Sequence, residues 1–131
     1  MIVIDTSAWV EFLRDTGSPA CRAVDRLLAD EIAICDPISM EVLAGARDER
    51  HLTQLRGLLA RAIMLPTTPG SYDHAAALYR TCRRRGRTVR KLVDCLIAAV
   101  TIEEGASLLH ADIDFEVLTE HTALVVEPLD V

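Results

Sequence analysis

Aromatic side chains are scarce in this sequence, only 4% of its 131 residues. A core must therefore come from Leu, Val, Ile and Ala, within a chain that is half hydrophobic. Uninterrupted apolar runs of about eighteen residues are missing, which argues against a membrane-spanning helix. The opening MIVIDTSAW has neither a basic n-region nor a cleavable apolar h-region, so no secretory signal is expected and the cytoplasm is the expected location. No CxxC pair occurs among Cys21, Cys35, Cys82 and Cys95, and their gaps suit no zinc motif. They read as small buried hydrophobes in a reducing compartment. His51, His74, His110 and His121 include no i, i+4 pair of the kind that binds zinc on a helix. P-loop and GxGxxG motifs are absent, as are repeats, low-complexity tracts and interior linkers. Lysine occurs once, at Lys91.

What the chain does have is acid. Its formal charge is −6, which taken alone disfavours non-specific nucleic-acid binding. The cationic residues are unevenly placed, however. Arg80 to Lys91 carries seven of the fourteen basic residues and no acidic one. Such a run can be a solvated face, or a patch whose arginines grip phosphates.

The length predicts one domain, residues 1–131. MIVID, IAICD, AIMLP, ASLLHAD and ALVVEPL read as five strands. Helices are expected over DTSAWVEFLR, PACRAVDRLLADE, ISMEVLAGA, ERHLTQLRGLLARA, SYDHAAALYRTCRRR, VRKLVDCLIAAVTIEEG and IDFEVLTEH. Pro69-Gly70 reads as a turn, while Gly86 and Gly105 close helices. Alternating strands and helices predict an α/β fold with a central parallel sheet flanked by helices. In such a fold, sites form beyond the carboxyl ends of the strands.

Acids fall toward that rim. Asp5 ends the first strand and Asp112 the fourth, with Asp114 two residues on. Glu41 is expected where the helix after the second strand opens. Asp5 and Asp112, taken singly, are ordinary helix caps, and Glu41 an acid placed to suit a helix dipole. Thr6 and Ser7 are expected to cap the first helix or to orient Asp5. Asp94 resists such readings, because it lies within LVDCLIAAV and every neighbour there is apolar. Either a buried arginine pairs with it, or a cation shared by several carboxylates does. Crowded carboxylates take up protons unless a cation intervenes. Oxygen-only ligands point to Mg²⁺, with Mn²⁺ able to substitute.

IDTSAWVE, PISMEVLAGA, LVDCLIAAV and HADIDFEVL, in that order and across essentially the whole chain, resemble the PIN domains, and more narrowly the VapC toxins of toxin–antitoxin pairs. The resemblance implies a PIN-like three-layer fold and a metal-dependent endoribonuclease. It carries the functional acids onto Asp5, Glu41, Asp94, Asp112 and Asp114. Asp5, Asp94 and Asp112 are then the direct metal ligands. His110 departs from the hydroxyl residue common at its position. Arg84, Arg85, Arg87, Arg90 and Lys91 become candidates for gripping RNA beside the cut. The resemblance also implies a VapB-type antitoxin whose tail covers the site, a homodimer that enters a larger complex with it, and a tRNA or ribosomal RNA loop as substrate.

Rival readings are weaker. A phosphoacceptor domain needs a lysine near the end of the last strands, and Lys91 lies elsewhere. A non-catalytic acidic α/β interaction module would leave its acids in solvent, against the apolar setting of Asp94.

Overall fold

The computed structural model describes residues 1–129. Four short parallel strands form one sheet: β1 (Ile2–Ile4), β2 (Ile32–Cys35), β3 (Ile63–Leu65) and β4 (Ser107–Leu109), in the order β3-β2-β1-β4. Seven helices flank it: α1 (Thr6–Leu13), α2 (Pro19–Leu27), α3 (Asp36–Ala44), α4 (Glu49–Leu59), α5 (Pro69–Arg84), α6 (Leu92–Glu103) and α7 (Phe115–His121). Both central strands are buried except at the partly exposed Ile2, as a sheet covered on two faces requires. Val3, Ile4, Ile32, Ala33 and Ile34 are essentially unexposed. The only tryptophan, Trp9, and Phe115 fill the largest spaces in this aliphatic core. All four cysteines are free and buried. Burial pushes the thiols of Cys35 and Cys95 up to about 11 and about 12, so they pack rather than react.

Register aligns the strand ends that matter. Ile4 pairs with Leu109, and Cys35 with Leu65. The Asp5 N–H then donates to the Leu109 carbonyl at 2.9 Å. Residues just past β1 and β4 therefore leave the sheet side by side.

The structure moves four expected boundaries. ALVVEPL forms no strand; it makes one isolated parallel bridge, Leu108 to Val126. Two backbone hydrogen bonds hold it, Leu108 N–H to Val125 and Glu127 N–H to Leu108, and Pro128 has no N–H to extend the ladder. Pro69-Gly70 is not a turn but the first turn of α5, where a missing N–H costs nothing. Thr68 and Ser71 close a reciprocal capping box there. Helix α3 starts at Asp36, so Glu41 lies beyond the first turn instead of opening the helix. Helix α6 starts at Leu92, because Lys91 is extended (φ −125°, ψ 123°). Asp94 thus lies in the first turn, where the helix dipole favours a carboxylate. Gly86 and Gly105 follow α5 and α6 at φ +80° and +63°, a left-handed conformation that suits glycine.

Candidate active site

Each acid reaches the rim by a different route. Asp5 leaves the buried end of β1 and caps α1, its Oδ2 accepting from the Ser7 N–H at 2.9 Å. The Ser7 hydroxyl also donates to that oxygen at 2.6 Å, while accepting from the Ala111 N–H at 2.9 Å. Ser7 therefore fixes Asp5 and ties it to the loop after β4. Thr6 does not orient Asp5; its hydroxyl donates to Glu41 Oε1 at 2.8 Å. Neither hydroxyl caps α1, because Asp5 itself does.

The β4–α7 loop delivers the next two acids. Asp112 Oδ1 accepts the Asp114 N–H at 2.9 Å. His110 Nδ1 accepts the Asp112 N–H at 3.2 Å, which places the ring proton on Nε2, toward Glu116 at 3.7 Å. The ring also lies against Phe115, with centroids 5.0 Å apart. Burial pulls His110 below the usual histidine value, against Asp5, Glu116 and Asp112, which pull upward. His110 here is a neutral brace for the Asp112 backbone.

Carboxylate oxygens of Asp94, Asp112 and Asp114 lie within 4.8 Å of one another. Asp94 is only 3% exposed, and its Oδ2 is a buried oxygen without a hydrogen-bond partner. No arginine pairs with it among the described residues. Burial first, then Asp5, Asp112 and Glu41, push its carboxyl up to about 7 against the pull of Lys91. Asp5 is 4% exposed, and burial raises it as well, against the Ser7 hydrogen bonds, with Glu41 adding to the rise. The five acids thus share one electrostatic neighbourhood. Its tightest triple contains Asp114, while Asp5 is adjacent and held by Ser7.

These donors suit a hard divalent ion. They are all oxygens, they converge, and one is buried with nothing to bond to. A structural carboxylate so placed collects donors; this one has an oxygen without any and three acids pushing against the pull of Lys91.

The basic run divides in two. Arg84 and Arg85 end α5 in solvent, where a cation complements the helix C-terminus. Arg87 pairs with Glu120 at 3.3 Å, Arg90 with Asp114 at 3.7 Å and Lys91 with Asp112 at 3.7 Å. The run thus begins as a solvated face and ends over the acids. Sequence reasoning missed a groove of about 410 Å³ beside Glu41. Val10, Leu13, Val42 and Leu55 give it apolar walls, with Arg14 and Arg47 among its lining residues. The lining comes from α1, the α3–α4 region and α4, elements that no local motif unites.

Comparison with known proteins identifies the family. The PIN domain family model matches residues 2–120. Ribonuclease VapC11 of Mycobacterium tuberculosis is 48% identical over 128 residues, covering 95% of this chain and 96% of its own. Ribonuclease VapC32 of the same species is 33% identical, covering 86% and 85%. The crystal structure of VapBC2 from Rickettsia felis, bound to a promoter DNA fragment, superimposes with TM-score 0.79 at 20% identity over 99% of this chain and 100% of that one. VapBC-1 from nontypeable Haemophilus influenzae gives TM-score 0.76 at 20% identity over 97% of each chain. By sequence and fold, the chain belongs to the PIN-domain family, among the VapC ribonucleases.

Proposed function

We propose that this chain is a metal-dependent endoribonuclease and the toxin of a toxin–antitoxin pair. Asp5, Glu41, Asp94, Asp112 and Asp114 are its functional acids. The observation that carries the reading is the orphaned, buried Asp94 oxygen beside the carboxylates of Asp112 and Asp114. Asp94, Asp112 and Asp5 would hold Mg²⁺ or Mn²⁺, and Asp114 is placed to join them. When bound, the ion supplies an acidified water and neutralises charge at the scissile phosphate.

The chain's own residues do the rest. Ser7 holds Asp5 in one orientation, and Thr6 does the same for Glu41. Glu41 is partly exposed and hydrogen-bonded on one oxygen, free to orient water at the mouth. His110 fixes the loop that carries Asp112 and Asp114. Arg84, Arg85, Arg87, Arg90 and Lys91 grip backbone phosphates near the cut. Attack by water leaves a 5′-phosphate and a 3′-hydroxyl. The scattered histidines offer no acid–base pair for the metal-free route through the 2′-hydroxyl.

The VapBC complexes among the structural relatives support a VapB-type antitoxin as partner. Its tail covers the acid cleft, and the groove beside Glu41 offers it an apolar seat. A homodimer, a larger complex with antitoxin, action in the cytoplasm and a single-stranded tRNA or ribosomal RNA loop as substrate complete the proposal. No helix of the described residues is long and apolar enough to cross a membrane.

The test is cleavage of a loop-containing RNA with Mg²⁺ or Mn²⁺ and after exhaustive EDTA treatment. Activity is expected only with the ion. Undiminished cleavage by rigorously metal-free protein contradicts the mechanism, and sequencing the 5′ ends of RNA cut in cells identifies the substrate.

A further inference from the structure

Lys91 is an odd residue in an odd place. Every other cationic side chain of this chain is arginine. It caps the N-terminus of α6, where no side-chain hydrogen bond is made and the helix dipole opposes a positive charge. Helix formation gives no reason for it. Its surroundings do: the ammonium lies 3.7 Å from Asp112 Oδ2, and it feels the charges of Asp94, Asp112, Glu41 and Asp5 together. The Asp112 contact is longer than a close hydrogen bond, and Lys91 is about half exposed on its side chain (52%). A compact point charge on a flexible stem can leave such a contact easily, whereas an arginine fork held on two oxygens cannot.

We propose that Lys91 is the built-in counter-ion of the acid cleft, which a divalent cation must displace, so that this one lysine sets the protein's metal affinity. The inference rests on the metal-site reading above and adds a competitor to it. Without metal, the ammonium offsets part of the repulsion among the carboxylates. With metal, the two positive charges repel, and the lysine swings outward to the side from which a phosphate approaches. Arg90 makes a similar contact with Asp114 at 3.7 Å, but its side chain is 79% exposed, so it shields one acid from outside rather than several.

The experiment is calorimetric titration of Mn²⁺ into metal-free full-length protein at fixed ionic strength, for wild type, Lys91→Met, Lys91→Gln and Asp94→Asn, with thermal melts of each. Lys91→Met and Lys91→Gln are expected to bind Mn²⁺ more tightly, by roughly tenfold. Both are expected to melt lower than wild type without metal, with the gap closing once Mn²⁺ is saturating. Unchanged or weaker Mn²⁺ affinity in both lysine variants overturns the inference while leaving the metal site standing. If wild type and Asp94→Asn take up Mn²⁺ alike, the metal-site reading fails and the inference falls with it.

Discussion

Asp94 and Glu103 occupy the first and last turns of the same helix, α6, and their surroundings are opposite. Glu103 is about a third exposed on its side chain and fully engaged. The buried Ser71 hydroxyl donates to Oε1 at 2.7 Å, and His74 Nδ1 lies 2.8 Å from Oε2. Burial pushes its carboxyl up, but the bonds from Ser71 and His74 outweigh that and hold it below the usual range. Asp94 is far more buried, has an oxygen with no partner, and is pushed up to about 7. One end of the helix shows how this fold treats an acid that serves structure: neighbouring elements bring it donors. The other end carries an acid that three further carboxylates push up while Lys91 pulls it down. On the proposed function, the fold tolerates that cost because a ligand, not the protein, completes the site.

The comparison breaks most visibly in activity. Asp94→Asn is expected to cut the cleavage rate by roughly 10³-fold, the scale for losing a group that stabilises charge in the transition state. Glu103→Ala is expected to leave kcat unchanged. Parallel single-turnover assays on one RNA decide this, and equal losses from both variants erase the distinction. Ser7→Ala sharpens the picture, because it frees Asp5 without removing an acid. Supporting residues around metal ligands typically contribute 10- to 100-fold, so a loss on the order of tenfold is expected, with weaker Mn²⁺ binding.

Stability should show the reverse ordering. Glu103→Ala leaves the buried Ser71 hydroxyl only its capping-box contacts with Thr68, and is expected to cost roughly 1 kcal/mol in urea melts near neutral pH. Because the folded-state value of Glu103 is depressed, its contribution is present above the ordinary glutamate range. It is lost as pH falls through the folded value, so wild type and variant should converge in acid. A variant as stable as wild type near neutrality contradicts the structural role. The smallest effect concerns Arg84 and Arg85, which touch neither end of α6. Replacing both with Gln is expected to lower the salt slope of RNA binding by roughly one to two, with the melting temperature unchanged. An unaltered slope makes that part of the run a solvated face.

The alternation of strand and helix was legible, because two fully apolar strands bounded by Pro or Asp allow few other readings. Asp94 was legible for the same reason: an acid inside LVDCLIAAV violates its own pattern. The support around it was not. Ser7 and Thr6 read as caps or as hydroxyls that orient Asp5; Ser7 does orient it, but its tie to Ala111 and the bond of Thr6 to Glu41 span 104 and 35 residues. The onset of α6 was placed too early because VRK is compatible with a helix, and only the fold draws Lys91 into an extended conformation over the acids. The last strand was overread: its β-branched run is real, but the hydrogen bonds to β4 hold only around one bridge. The expected ligand triple named Asp5, and the closest oxygens instead include Asp114, a difference of loop geometry that residue spacing does not encode.

On the proposed function, Asp94 is kept in the apolar helix for a cation rather than for the fold. Burial, with the neighbouring acids, raises its folded-state value from the ordinary aspartate range to about 7. Folding therefore favours its protonated form. The stability this group contributes is complete below the unfolded value and is lost as pH rises toward the folded one. Metal-free denaturant melts of wild type and Asp94→Asn at about pH 8 and about pH 5 measure this directly. The account predicts that Asp94→Asn is the more stable protein at the higher pH, by roughly 2–4 kcal/mol, and that the gap narrows at the lower pH. If Asp94→Asn is instead destabilised at both, by roughly 3–5 kcal/mol as when a buried charge loses its partner, Asp94 is a structural residue and the metal site is drawn wrongly.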